Sequence, residues 1–109
     1  MSPLREPSFF VLTALLPGPR HGYGIIKAVE EMSGGRVRLR AGTLYAALER
    51  LESEGCVSLD REVSEGGPPR RYYRLTPDGV ALLEEESRRL SENAKLVRDG
   101  LRRAKPRTA

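Results

Sequence analysis

Arginine is the chemistry-bearing residue that recurs in a pattern. Arg36, Arg38, Arg40 and Arg50 gather around one segment, and Arg70, Arg71 and Arg74, interleaved with Tyr72 and Tyr73, gather around another. Guanidinium forks match phosphate oxygens and tyrosine hydroxyls hydrogen-bond a nucleic-acid backbone, so two such clusters suggest a polyanion gripped from two places. Solvated surface is the alternative for each cluster taken singly. Position within the elements has to decide.

Other chemistry finds little support. His21 is the sole histidine and Cys56 the sole cysteine, so one chain lacks the ligands of a soft-metal site and cannot close an internal disulfide; a reducing cytoplasm is the expected location. No nucleophile sits beside a base, and no carboxylate pair is arranged locally, so an enzyme is not expected. His21, just before a glycine-rich helix start, is expected to cap or pack there. Cys56 reads as a small buried hydrophobe, with a redox thiol as the alternative. Glu84, Glu85 and Glu86 are consecutive and point in different directions around a solvated helix. Gly22 and Gly24 begin a dinucleotide fingerprint, but Lys27 holds the third glycine position and no strand is expected before them, so no cofactor is expected.

The chain's 109 residues, with 19 Lys+Arg against 15 Asp+Glu, read as one small domain, too short for a core plus a deep catalytic pocket of its own. The longest apolar stretch, Phe9 to Leu16, is far below the ~20 residues that span a bilayer. Pro3, Glu6 and Pro7 stand where a signal peptide would be positive, so neither export nor membrane insertion is expected.

The elements that must position the arginines follow from periodicity and breakers. A first, almost wholly apolar helix follows Pro7 and is stopped by Pro17-Gly18-Pro19. A partner subunit could cover what so small a domain cannot, with Phe9 and Phe10 at that contact or in the domain core. A second helix carries Ile25, Ile26, Val29 and Met32 and ends at Ser33-Gly34-Gly35. Val37 to Arg40 reads as a short strand. The third helix, from about Gly42 to Glu54, turns Leu44, Ala47, Leu48 and Leu51 inward. Gly42, Ala46, Glu49, Arg50 and Ser53 face outward, with Thr43 at the flank. Small residues at its start allow close approach, and the free N–H groups and dipole there favour a phosphate, although an ordinary amphipathic helix would look the same.

Val57 to Val63, the turn Glu65-Gly66-Gly67-Pro68-Pro69 and Arg70 to Leu75 form a hairpin. Thr76-Pro77-Asp78 then starts a long helix, about 22 residues and roughly 33 Å. Val80, Leu83, Leu90, Ala94, Val97 and Leu101 fall on a repeat of seven along it, interrupted by Ser87. So narrow a seam favours a coiled-coil-like dimer contact over folding back on its own domain.

Three helices followed by a hairpin is the winged helix-turn-helix order, with the third helix in the major groove and the wing on the flanking backbone. The expected fold is mainly α with a small β-hairpin: a winged helix-turn-helix DNA-binding domain over 1–76, a dimerisation helix over 77–104 and a frayed tail over 105–109. Both basic clusters fall where this geometry meets DNA.

The chain also resembles the PadR-like transcriptional regulators. The resemblance rests on HGYGI at His21 to Ile25, GTLYAALERLESEG at Gly42 to Gly55 and GGPPRRYYRLTPDG at Gly66 to Gly79. It covers about Ser8 to Leu90 and implies a dimeric DNA-binding repressor with a single C-terminal dimerisation helix. Residue by residue, it implies phosphate contacts by Thr43, Tyr45, Arg70, Arg71 and Tyr72. Tyr23 matches the motif's tyrosine, with DNA contact and packing both open. Some short members hold flat aromatic drugs between tryptophans at the dimer centre; this chain has no Trp, so drug binding is not carried over.

The expected DNA-contacting set is therefore Arg40, Gly42, Thr43, Tyr45, Ala46, Arg50, Arg70, Arg71 and Tyr72. The expected dimer set is Phe9, Phe10, Val80, Leu83, Leu90, Ala94, Val97 and Leu101. Double-stranded DNA and a second copy are the expected partners, with room for a small-molecule effector of unknown identity. A winged-helix module that binds another protein instead of DNA is the competing reading.

Overall fold

The three breakers of the sequence, Pro17-Gly18-Pro19, Gly34-Gly35 and Gly55, divide the chain where its helices end. In a computed structural model, which describes residues 4–104, the order is α1 (Glu6–Ala14), β1 (Arg20–His21), α2 (Gly22–Met32), α3 (Ala41–Ser53), β2 (Val57–Val63), β3 (Arg70–Leu75) and α4 (Pro77–Arg103). The expected frayed tail, 105–109, lies outside the described residues. This is a mainly helical winged helix-turn-helix with a long C-terminal helix, as its sequence indicates. None of the described helices is long and apolar enough to cross a membrane.

Three helix ends are closed by nameable side chains. The Arg20 side chain donates to the Ala14 carbonyl at 2.7 Å and so satisfies the exposed end of α1. His21 caps α2, its Nδ1 accepting from the Gly24 N–H at 3.2 Å. Thr76 caps α4, its hydroxyl accepting from the Gly79 N–H at 3.1 Å, and Pro77 follows in the first turn, where its missing N–H costs nothing. The loop after α2 turns through Gly34 and Gly35, at φ of 63° and 82°, conformations glycine adopts without a Cβ penalty.

The sheet is antiparallel in the order β1-β3-β2. Arg20 and His21 pair with Tyr73 and Tyr72, so the third strand is this dipeptide and not Val37 to Arg40, which is irregular. Two residues are too few for an alternating pattern, and the free edge of β3 selects them because α2 starts beside it. A bulge between Leu59 and Arg61 leaves Asp60 unpaired in the β2–β3 ladder.

Val11, Leu12 and Leu15 from the α1 region, Ile25 and Val29 from α2, Leu44, Leu48 and Leu51 from α3, and Val57 and Tyr73 from the sheet form one core. The inward stripe expected on α3 is the buried one. Phe9 and Phe10 are half-buried against this core, their rings edge-to-face at 5.5 Å. From α4, Leu83 enters the core and is 6% exposed, so this member of the expected seam packs inside its own chain. The start of α4 lies hard on β2, for a Cβ on Gly79 would stand 2.1 Å from the Cys56 carbonyl oxygen.

At 27 residues, α4 exceeds the length of about 22 but falls within the expected bounds of 77–104, and it reaches about 40 Å. The molecule measures 67 Å against 27 and 21 Å in the other directions, and the later turns of α4 project from the domain. Leu90, Leu96, Val97 and Leu101 are exposed there.

Candidate nucleic-acid interface

The outward face of α3 is small at its start. Gly42, Thr43 and Ala46 are exposed, and the helix has no side-chain cap, unlike α2 and α4. Its first N–H groups and the positive end of its dipole therefore stay open to an anion. Arg40 occupies the N-cap position and, like Arg38 before it, makes no ion pair among the described residues. With Arg5 and Ser8 of the opposite wall, Gly42, Thr43, Ala46 and Arg50 line a shallow groove between α3 and the start of α1. The Arg50 guanidinium donates to the Ser8 hydroxyl across it at 2.7 Å. Arg50 thus lies on the expected face but is held against α1, a constraint that helical spacing does not show.

Tyr45 stands half-exposed beside this face and rests its ring on α2. A Cβ on Gly22 would meet the Tyr45 hydroxyl oxygen at 2.5 Å, so the first glycine of the HGYG motif is the floor on which this tyrosine lies. Tyr23, largely exposed, carries Lys27 over its ring at 5.7 Å.

Strand alternation separates the wing arginines. Arg70, Tyr72 and Arg74 lie on the outer face of β3, and Arg71, Tyr73 and Leu75 on the face that packs inward. Arg71 donates to the opposite Glu62 at 3.0 Å. That hydrogen bond, with the charges of Tyr73, Glu62 and Glu52, raises its pKa further. Asp60, displaced by the bulge, takes Arg61 at 2.7 Å and Arg74 at 3.7 Å. Arg61 lies over the Tyr72 ring at 4.2 Å, and His21 meets the same ring edge-to-face at 5.2 Å. Arg70 makes no ion pair among the described residues, and its guanidinium stands 3.4 Å from His21 Nε2.

The outer face of the wing also holds His21 and Arg61, which the sequence pattern did not place there. Their signal lies in register, since His21 and Arg61 both oppose Tyr72. Burial holds the His21 pKa below its ordinary value, assisted by the Arg70 charge. Cys56 is buried, and burial, then the charges of Glu54 and Asp78, push its thiol up; a buried, protonated thiol is a poor nucleophile. The described residues hold no group of three or more His, Cys, Asp or Glu that could bind a metal ion.

The model of the transcriptional regulator PadR-like family matches residues 11–85. The chain belongs to that family. This PadR-like chain is 42% identical over 71 residues to the transcriptional regulator Rv3488 of Mycobacterium tuberculosis, covering 65% of each protein. It is 45% identical over 82 residues to an uncharacterized 37.1 kDa transposon protein of Streptomyces fradiae, covering 75% of the chain but 22% of that protein. It therefore spans less than two thirds of the length of both relatives. Among solved structures, a PadR family regulator from Clostridium difficile aligns with TM-score 0.74 at 25% identity, covering 89% of this chain and 99% of that one. Bacillus subtilis PadR, solved in complex with operator DNA, aligns with TM-score 0.66 at 26% identity over 74% of this chain and 46% of that one.

In this PadR-like chain the seven-residue seam of α4 is exposed over most of its length. Val80, Leu90, Val97 and Leu101 are between 37% and 66% exposed, and Ala94 is exposed between them. Leu16, 55% exposed, continues the stripe from the end of α1, beside Val80 and Leu83. The sequence pattern did not single out Leu16, because it sits past a helix that is apolar all round.

Proposed function

We propose that this chain is a dimeric, sequence-specific DNA-binding regulator that represses by occupying an inverted-repeat operator. The observation that carries the reading is the uncapped start of α3, where Gly42, Thr43 and Ala46 present a small, exposed face beside Arg38 and Arg40, which make no ion pair among the described residues. A helix of this kind can enter a major groove closely, with its free N–H groups on a backbone phosphate. Residues 1–76 form the DNA-binding unit and 77–104 the dimerisation helix. Thr43, Tyr45, Arg70, Arg71 and Tyr72 contact the backbone, and Arg50, once released from Ser8, reaches base edges.

The exposed stripe of Leu16, Val80, Leu90, Ala94, Val97 and Leu101 supports pairing through α4, and the half-buried Phe9 and Phe10 of α1 join that contact. Two protomers related by a two-fold axis would read one half-site each. A dimer seated over a promoter excludes polymerase, and a signal that alters the angle between its two reading heads releases it. The exposed acids Glu49 and Glu52 on α3, with three wing arginines already paired to carboxylates, favour the competing protein-binding module.

Retardation of a labelled duplex from upstream of the chain's own gene separates the two. Retardation that weakens steeply as salt rises is expected. No retardation at low salt, with tight binding of a protein partner, would make the module reading the better one.

A further inference from the structure

The contact between His21 and Arg70 is a contact between two donors. Gly24 donates its backbone N–H to His21 Nδ1 at 3.2 Å, and a neutral imidazole has one N–H and one acceptor nitrogen. With Nδ1 accepting, the proton is on Nε2. Nε2 therefore cannot accept from the Arg70 guanidinium, which stands 3.4 Å from it. The depressed pKa of His21 keeps the ring in this neutral form near pH 7.

Of the nearby carboxylates, Asp60 takes Arg61 and Arg74, Glu62 takes Arg71, and Glu65, which lines a pocket with Arg70 and Tyr72, makes no ion pair among the described residues. No carboxylate lies within ion-pair distance of Arg70 among the described residues. The ring is also held firmly in place, capped into α2 on one side and set against Tyr72 on the other. Two donors side by side, one of them on a ring held in place, are complementary to a single anionic oxygen. The pair sits where β1 enters the first helix of the helix-turn-helix, the helix that crosses a DNA backbone in this geometry, and at the foot of the wing that flanks it.

We propose that His21 Nε2–H and the Arg70 guanidinium together hold one phosphate of the DNA backbone. The inference rests on the DNA-binding reading above and adds to it a neutral donor that counting of basic residues overlooks. His21 contributes direction, and Arg70 contributes charge. The contact carries no base information, so it acts alike on operator and unrelated duplex.

The test uses the full-length protein and His21→Asn. Asparagine is a favoured N-cap whose amide oxygen can replace Nδ1 toward Gly24, but its side chain is too short to supply the Nε2 donor. The expected result is affinity lowered roughly 5- to 20-fold for both the promoter duplex and an unrelated duplex, with an unchanged salt slope, because no counterion release is lost. Arg70→Ala, by contrast, lowers the salt slope by about 1, and the double variant loses less than the product of the two effects because they share one oxygen. In the unmutated protein, a nitrogen-15 spectrum of the ring should show the proton on Nε2, with its resonance shifted when duplex is added.

A ring proton on Nδ1, or an Nε2–H unaffected by bound duplex, overturns the proposal whatever the variant's stability. So does His21→Asn that binds as tightly as the unmutated protein. Failure of the unmutated protein to bind any duplex at low salt overturns the DNA reading itself, and the phosphate site with it.

Discussion

Gly22 and Tyr45 share one space: a Cβ added to Gly22 would lie 2.5 Å from the Tyr45 hydroxyl oxygen and 3.0 Å from the ring carbon that bears it. The atom met is the far end of a half-exposed side chain, so the fold can yield by swinging Tyr45 away. Gly22→Ala is therefore expected to change unfolding free energy by less than about 1 kcal/mol while weakening DNA binding about as much as Tyr45→Ala does. Denaturant unfolding beside a retardation titration checks both halves. Loss of stability with unimpaired binding would remove Tyr45 from the interface.

Gly79 makes the opposite case. A Cβ there would meet the Cys56 carbonyl oxygen at 2.1 Å, and backbone cannot swing aside. Gly79→Ala should cost about 3 kcal/mol or more, or shift α4 off β2. A urea midpoint close to that of the unmutated chain would show that the junction is looser than it looks.

The seam of α4 divides into a part that folds the chain and a part that stays exposed and is proposed to meet a second copy. Leu83→Ala should destabilise the fold by about 2–5 kcal/mol, because that side chain is buried in its own domain. Val97→Glu and Leu101→Glu should leave the helical spectrum intact and turn a dimer into a monomer by sedimentation at micromolar concentration. If both variants remain dimeric, α4 is not the contact.

His21 ties stability to pH through its cap. Its folded pKa lies below the ordinary 6.5, so in mildly acid solution the unfolded chain binds more protons than the folded one. Stability is present in full above about pH 6.5 and is lost as pH falls through the lower folded value. Burial and the Arg70 charge set this direction, and protonation also places a hydrogen on Nδ1, where it opposes the cap on the Gly24 N–H. Melting temperatures from pH 8 to pH 5 should fall more steeply for the unmutated protein than for His21→Asn; parallel curves would show that the cap is not what titrates.

Arg50 lies on the exposed α3 face proposed to meet DNA but is bonded to Ser8. Selection of bound duplexes from a random pool should return a changed base preference for Arg50→Ala, and an unchanged preference with weaker overall binding for Arg70→Ala. The reverse pattern would assign base reading to the wing.

The chain order, the winged architecture and the inward stripe of α3 were legible because each rests on local rules: breakers at Pro17-Gly18-Pro19 and Gly55, helical spacing in Leu44, Leu48 and Leu51, a cap at Thr76. Three motif blocks also pointed to the PadR-like family. Local rules carry no information about which groups meet across the fold. Only the tertiary structure recruited Arg20 and His21 as a strand, because β3 offered a free edge beside α2. It likewise drew Leu83 inward while leaving the rest of its stripe exposed, since the domain ends partway along α4. Arg70 and Arg71 are neighbours in sequence, yet strand alternation sets one against His21 and the other against Glu62. Composition therefore determined that this protein carries arginines enough for a polyanion, and packing decided which of those arginines are still free to meet one.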